Sequence, residues 1–458
     1  MEMPTMNRLQ PFPTFDSPRP EPTFPRKLQV EVTTRCNMRC AMCVKSAPDS
    51  DIPETDFDLE AFRRLTPALV RCEALVLNGI GEPLLNPDLA DMAAMARETM
   101  PESGWIGFQT NGLLVTEPLA DRLVEAGVDT FCVSVDTLEM GGHGQPYGDG
   151  ELHGGTGAAR LERAFRLLRE AGERYGRTLR LGVELVLMRG TADQLPHVIR
   201  WAGELGLDFA IVSHVLPYDQ SMQDQSLFNP NTPAATALFE KWQAKAAAQG
   251  LDLHDQHGVA WKFDKSDREK RLHELVKGLL NDAGASGVWV HLPRLLEWDR
   301  RNRDGAERGL AHLFRQAGDA AARAGMELRL PPLQARDQRR CHFVEDGTAF
   351  VTSEGDVSPC QFLWHRYACH LDGGRKVVRP WLFGNIRERD LVDIWRDAPY
   401  ADFRRQVLEY DYPYCSNCPF VPCDDIKGAP FDFDCDCLGA TIPCGHCLWC
   451  MGGLQCLR

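Results

Sequence analysis

The sequence predicts an α/β protein: a partial (β/α)6 barrel followed by a cysteine-rich C-terminal region. Three observations predict it. From Leu28 to about Asp219, strand-like runs and helix-like runs alternate through six units. The first strand leads directly into a loop carrying Cys36, Cys40 and Cys43. Of the 17 cysteines, only five precede residue 340, and the rest begin at Cys341.

The elements follow in order. Residues 1–26 are rich in proline and read as an extended arm. Residues 27–220 form the barrel core. Its strands are expected at 28–32, 74–77, 105–109, 130–135, 179–188 and 209–216. Helices are expected at 87–100 and 117–126. Two further helices show apolar residues at i, i+3, i+4 and i+7: Leu161, Ala164, Phe165 and Leu168, then Leu195, Val198, Ile199 and Ala202. A glycine-rich loop at 141–157 lacks the G-K-[ST] ending of a phosphate loop, and its His143 and His153 read as solvated. Residues 221–335 read as a helical segment that closes the barrel, with helices at 236–249, 267–282 and 309–324. Short strands are expected at 287–292 and 326–330, and Trp261, Trp289 and Trp298 are assigned to packing. Residues 336–458 form the cysteine-rich domain.

Composition narrows the function. The chain has 458 residues, of which 43% are hydrophobic and 25% charged, an ordinary globular balance. A formal charge of −14 without a dense Lys/Arg tract disfavours nucleic acid as a partner. No run of about 18 apolar residues suggests a membrane span, and no apolar leader opens the chain, so a cytoplasmic location is expected. In that compartment so many cysteines point to metal rather than disulfides. An oxygen-poor cytoplasm fits best.

The organising stretch is Glu31-Val-Thr-Thr-Arg-Cys36-Asn-Met-Arg-Cys40-Ala-Met-Cys43, a C-x3-C-x2-C array. Three thiolates fall one short of a structural zinc site. They can hold three irons of a [4Fe–4S] cube and leave the fourth open to a reacting ligand. A zinc knuckle with a distant fourth ligand is the alternative. The array resembles the signature of the radical S-adenosylmethionine (radical SAM) enzymes, with Met42 where that family often has an aromatic. The resemblance implies a partial TIM-like barrel, a cluster that binds and reductively cleaves SAM, and a 5′-deoxyadenosyl radical that abstracts hydrogen from substrate. It also implies SAM contacts at the C-terminal ends of the strands. Gly81-Glu82-Pro83 resembles the family's GGEP motif, with Ile80 replacing its first glycine; a plain turn before a helix is the alternative. Asn111, Ser134 and Asp136 follow strands three and four. Glu184 on strand five faces either the barrel or a helix.

The C-terminal cysteines are Cys341, Cys360, Cys369, then Cys415-x2-Cys418-x4-Cys423-x11-Cys435-x-Cys437, then Cys444-x2-Cys447-x2-Cys450-x5-Cys456. A hairpin is expected between Cys341 and Cys360, and a helix near 391–395. The order resembles the SPASM extension of radical SAM enzymes, which implies two auxiliary [4Fe–4S] clusters. By that resemblance Cys341, Cys360 and one of Cys435 and Cys437 serve the first. Cys415, Cys418, Cys423 and a terminal cysteine, from Cys444, Cys447 and Cys456, serve the second. Cys450 often corresponds to Ala in similar proteins, which leaves it outside the obligatory set. Cys72, Cys132 and Cys369 read as core residues. A zinc ribbon from Cys415/Cys418 with Cys444/Cys447 stays as the alternative.

The tail, and Val212-Ser-His-Val-Leu-Pro217-Tyr, resemble a SPASM subgroup regarded as maturases of metalloenzymes, including tungsten aldehyde:ferredoxin oxidoreductases. The resemblance implies a protein, peptide or cofactor target and a low-potential electron donor such as ferredoxin or flavodoxin. Modification of a ribosomal peptide, by thioether or carbon–carbon crosslinking, is the second enzyme reading. A sulfatase maturase is disfavoured by Gln361, where those enzymes place Asp. A zinc-stabilised scaffold is the non-enzymatic alternative.

Overall fold

The computed structural model describes residues 23–138, 157–302, 305–371, 374–410 and 441–457. Six parallel strands form the barrel wall: β1 (Lys27–Val30), β2 (Ala74–Val76), β3 (Trp105–Thr110), β4 (Thr130–Ser134), β5 (Arg180–Leu187) and β6 (Phe209–His214). They pair in sequence order, as right-handed βα units require. β7 (Glu327–Arg329) adds parallel to β6, which bears out the strand expected near 326–330. β8 (Thr348–Val351) comes from the cysteine-rich region yet adds parallel to β1 on the opposite edge. β9 (Val357–Ser358) returns antiparallel to β8 and makes the expected hairpin. A separate antiparallel pair, β10 (Tyr367–Leu371) and β11 (Gly374–Val378), lies outside this sheet.

The two-residue period of each strand sorts its side chains. Leu28, Val30 and Val32 join the core between sheet and helices, with Ile106, Phe108, Phe131, Val133, Leu181, Val183, Leu185, Ala210 and Val212. The alternate positions, Gln29, Glu31, Cys132, Glu184, Phe209 and Ile211, therefore face the barrel interior. This decides the orientation of Glu184: Val183 and Leu185 beside it belong to the helix-side core. Helices Leu89–Thr99, Glu117–Glu125, Gly157–Arg174 and Leu195–Glu204 cover the outside. Ala306–Ala324 packs through Leu310, Ala317, Ala320 and Ala321 into the same core.

Pro233–Ala247, Asp267–Ser286 and Leu292–Asn302 build a separate helical core around Phe239, Leu253, Leu279 and Leu295. Asp267–Ser286 starts at a capping box, Ser266 with Glu269, and ends at Gly287 with φ +66°. The strand expected at 287–292 does not form. Val288 donates its N–H to the Ala283 carbonyl at 2.9 Å, and Val288 and Val290 pack on the helical core. The apolar run is a linker that buries side chains without strand pairing. The tryptophan assignment is also corrected in part. Trp298 packs on this core, but Trp261 is 92% exposed and Trp289 is 46% exposed.

The last residues enter the barrel. Leu457 packs against Val76, Cys132, Phe209 and Ile211, inward-facing residues of three strands. The Gly453 carbonyl accepts from His214 N–H at 2.9 Å, and Gln455 N–H donates to Ser213 Oγ at 3.1 Å. No described helix is long and apolar enough to cross a membrane. The glycine-rich loop, with His143 and His153, lies outside the described residues.

Candidate active site

The cysteine loop follows β1 and is pinned by its neighbours. Arg35 makes a two-point ion pair with Asp56, Nε to Oδ1 at 2.9 Å and Nη2 to Oδ2 at 2.7 Å, and Nη2 also donates to the Leu85 carbonyl at 2.8 Å. Lys45 donates to the Thr34 carbonyl at 2.6 Å. Thr34 Oγ1 donates to the Pro53 carbonyl at 2.6 Å. These contacts leave Cys36, Cys40 and Cys43 half-buried on one loop at the C-terminal mouth of the strands.

Gly81 meets this loop at backbone distance. A Cβ there would lie 2.4 Å from the Arg35 carbonyl oxygen and 2.5 Å from that of Thr33. The close approach lets Gly81 N–H donate to Thr33 O at 3.1 Å and Glu82 N–H to Arg35 O at 2.8 Å. So Gly81, not the position of Ile80, is where the motif needs glycine against the cysteine loop. Glu82 is buried at the start of the short helix Pro83–Leu85, with Pro83 in its first position. The turn reading and the site reading therefore coincide. Glu82 Oε1 accepts from Thr110 Oγ1 at 2.6 Å and from Leu84 N–H at 3.2 Å; Oε2 accepts from Asn111 N–H at 2.7 Å. Asn111 Nδ2 then donates to Asn37 Oδ1, inside the cysteine loop, at 2.8 Å. Glu82, Asn111 and Asn37 thus tie together the loops after β1, β2 and β3.

Two more carboxyls close the mouth. Ser134, exposed at the end of β4, stands in register with Glu184 on β5. Asp136 accepts from Val186 N–H at 2.9 Å. Burial raises Asp136 to about 6 and, helped by the Asp136 charge, Glu184 to about 8. One oxygen of Glu184, Oε2, is buried with no hydrogen-bond partner. Burial, then the charges of Asp136, Cys43 and Cys36, pushes the Cys40 thiol up to about 12. Cys36 is raised by burial and by Glu82. The expected residues Cys36, Cys40, Cys43, Gly81, Glu82, Asn111, Asp136 and Glu184 are therefore neighbours.

Among the described residues, no three His, Cys, Asp or Glu side chains are grouped to hold a single metal ion. Ligands of one ion share a point about 2.3 Å from each sulfur. A cube takes its thiolates on separate irons, which suits three half-buried thiols on one loop. The donor set at this mouth fits such a cluster. Cys36, Cys40 and Cys43 would hold it.

Sequence reasoning missed Glu31. Its carboxylate is fully buried on the inner face of the sheet, accepting from Ile80 N–H at 3.2 Å and Ser353 N–H at 3.1 Å and pairing with His365 Nε2 at 2.9 Å. The signal was present: a carboxylate at an inward position of an apolar strand. The Tyr218–Tyr367 pair was missed too. The rings meet edge to face at 5.4 Å between centroids, in an apolar cluster that Cys43 borders and that holds Cys360 and Cys447.

The described C-terminal cysteines gather in one place. Cys341, Cys360, Cys369, Cys444, Cys447, Cys450 and Cys456 are buried together in that cluster. Cys456 also lies within range of Cys132 in the barrel interior. Cys72, Cys132 and Cys369 are core residues, as expected. Cys415, Cys418, Cys423, Cys435 and Cys437 lie outside the described residues. No disulfide forms among the twelve described cysteines.

Known proteins resemble this chain along most of its length. The radical SAM superfamily matches residues 30–202, and the SPASM iron-sulfur cluster-binding domain matches residues 341–419. The chain is 26% identical over 431 residues to the tungsten-containing aldehyde ferredoxin oxidoreductase cofactor-modifying protein of Pyrococcus furiosus, covering 92% of this chain and 94% of that one. It is 25% identical over 235 residues to the PqqA peptide cyclase of Gluconobacter oxydans, covering 51% of this chain and 61% of that one. The solved structure of SuiB from Streptococcus suis aligns with a TM-score of 0.45 at 15% identity, over 84% of this chain and 68% of SuiB.

Proposed function

The chain belongs to the radical SAM superfamily and carries a SPASM domain, and from that premise we propose that this enzyme matures a metalloenzyme by modifying its cofactor or a peptide region of it. The observation that carries the reading is the similarity to the Pyrococcus furiosus cofactor-modifying protein, which runs through barrel, helical segment and tail alike. The cyclase similarity, by contrast, spans about half of this chain. It supports peptide modification as a second reading.

When bound, SAM and the cluster on Cys36, Cys40 and Cys43 supply a 5′-deoxyadenosyl radical for hydrogen abstraction. The protein's own part is orientation and exclusion of water. Gly81 and Glu82 with Pro83 set the loop that would receive the SAM amino group, and Asn111 fixes it to the cysteine loop. Ser134, Asp136 and Glu184 would present polar atoms to the rest of the cofactor. Glu184 sits there mostly protonated near neutral pH, a carboxyl that can donate a hydrogen bond. Two auxiliary clusters, an oxygen-poor cytoplasm and a ferredoxin- or flavodoxin-type donor complete the proposal.

The test is anaerobic reconstitution followed by SAM cleavage with dithionite, for the wild type and for Cys36→Ala/Cys40→Ala/Cys43→Ala. The expected result is 5′-deoxyadenosine from the wild type, and loss of that product with about four irons in the variant. Zinc in place of iron, with no cleavage, refutes the reading. Coincubation with the metalloenzyme target or with a precursor peptide then separates the two substrates by the mass change each acquires.

A further inference from the structure

We infer that the cleft between helix Leu292–Asn302 and the segment 226–230 binds a phosphate-bearing small molecule with a flat apolar body, gripped by Arg189, Arg294 and Arg301. The ligand's role as the molecule to be modified rests on the function proposed above; its binding to the cleft does not.

The period of helix Leu292–Asn302 sorts its residues. Leu292, Leu295 and Leu296 enter the helical core. Arg294, Glu297, Trp298 and Arg301 stand at i, i+3, i+4 and i+7, and all four line the cleft. The facing wall, 226–230, follows β6. Arg189 holds the start of it, with its N–H on Gln225 O at 2.9 Å and its Nε on Asp224 O at 3.0 Å. Further along, Asn229 N–H donates to Leu333 O at 3.0 Å, and the Phe228 ring lies 5.2 Å from that of His214. Arg189 comes just past the C-terminal end of β5, so this wall stands on the same side of the barrel as the cysteine loop. At Phe228 and Pro230 the cleft continues to His370 and Leu448. The His370 N–H donates to Pro217 O at 2.7 Å, and the next residue, Tyr218, packs on the apolar cluster that Cys43 borders.

Charge in the cleft is unbalanced. Among the described residues, Glu297 is the carboxylate that lines it, and Glu297 is already shared between Arg301, Nε to Oε1 at 2.9 Å, and Arg300. Arg189 gives its Nε to a carbonyl oxygen and makes no ion pair among the described residues. Arg294 makes neither a hydrogen bond nor an ion pair among the described residues. Three guanidiniums against one carboxylate leave two positive charges, in a chain whose formal charge is −14. A phosphate monoester carries about −1.5 to −2 at neutral pH and takes paired N–H groups from guanidinium. A carboxylate brings a single charge and would leave one cation uncompensated. Beside the arginines, Leu227, Phe228, Trp298 and Leu333 supply an apolar lining with two aromatic rings, which suits a flat body attached to the phosphate.

The experiment is calorimetric titration of full-length, anaerobically reconstituted protein, saturated with SAM, with phenyl phosphate and, separately, benzoate. The variants are Arg294→Gln and Arg189→Gln, from opposite walls, and Arg271→Gln, an exposed arginine outside the cleft, as the charge-matched control. Phenyl phosphate is expected to bind the wild type at one site and benzoate at least about tenfold more weakly. Each cleft variant is expected to weaken phenyl phosphate by about tenfold or more, the scale of a lost charge-assisted hydrogen bond. The control is expected to bind as the wild type does. Urea midpoints check that the variants are folded, and Arg294→Lys replaces Arg294→Gln if that midpoint falls. No binding to the wild type, equal binding of benzoate, or affinity unchanged in both cleft variants overturns the inference. An equal loss in the control overturns it too, because the anion would then answer to net charge alone. Absence of SAM cleavage from the same wild-type preparation refutes the proposed function and leaves the binding result standing.

Discussion

Glu31 and His365 pair at 2.9 Å across 334 residues of sequence, joining the first barrel strand to the cysteine-rich region. The carboxylate also accepts the N–H of Ile80, next to Gly81, and of Ser353, in the β8–β9 hairpin. One buried side chain therefore sets the Gly81 loop and the hairpin against each other.

Removing that carboxylate strands three partners in a dry site. Glu31→Ala is expected to destabilise the protein by about 3 kcal/mol, the scale for orphaning buried groups bonded to a charge. Glu31→Gln keeps the shape and one acceptor and is expected to lose less. Urea unfolding of the two variants checks the order. Equal losses would show that the hydrogen bonds at Glu31 carry no special weight.

Gly81→Ala places a methyl carbon within 2.5 Å of two backbone carbonyl oxygens of the cysteine loop. Backbone cannot yield as a side-chain tip does, so the loop must shift. SAM cleavage is expected to fall by about a hundredfold, the size of effect that a misplacement of about 1 Å produces. The 5′-deoxyadenosine formed per minute is the readout, and cleavage within a factor of two of wild type would contradict the packing argument.

Asn111→Ala cuts the link to Asn37 while leaving Glu82 bonded to Thr110 and to the backbone of residue 111. The cluster should still load. The expected defect is a SAM affinity lower by roughly tenfold, on the scale of one lost hydrogen bond of about 1–1.5 kcal/mol. Equilibrium binding of SAM to the reconstituted variant tests it. Iron content equal to wild type separates a positioning role from failure to build the loop.

Glu184 gives a pH prediction with a definite sign. Its folded value, about 8, lies above the ordinary carboxyl range, so the folded state holds a proton that the unfolded chain releases. Its contribution is fully present at acid pH and is lost as pH rises toward 8. Asp136, raised to about 6, adds to the fall only below that value. Between pH 6 and 8 the slope from Glu184 is at most about 1.4 kcal/mol per pH unit. Glu184→Gln should remove that slope, so the stability difference between variant and wild type grows in the variant's favour from pH 6 to pH 8. Unfolding curves at both values measure it, and a constant difference would place Glu184 in a wetter setting.

Local order in the chain determined the barrel and its mouth. A two-residue apolar period marks a strand wherever it is buried, and C-x3-C-x2-C places three thiols on one turn whatever lies around it. Hence the six barrel units, the cysteine loop and the Gly81-Glu82-Pro83 loop were legible before any contact was known. The apolar run at 287–292 shows the limit of that reasoning, because apolar side chains pack equally well from a linker between helices. Tertiary structure alone decided which distant segments meet. Alternation left Glu184 two possible faces, and the helix-side packing of Val183 and Leu185 selected the inner one. Nothing near Glu31 names His365, and nothing near Cys450 names Cys341. Nor does the tail announce that Leu457 ends inside the barrel. Those choices follow from burial across hundreds of residues, where an inward carboxylate or thiol takes the partner that the folded chain brings to it.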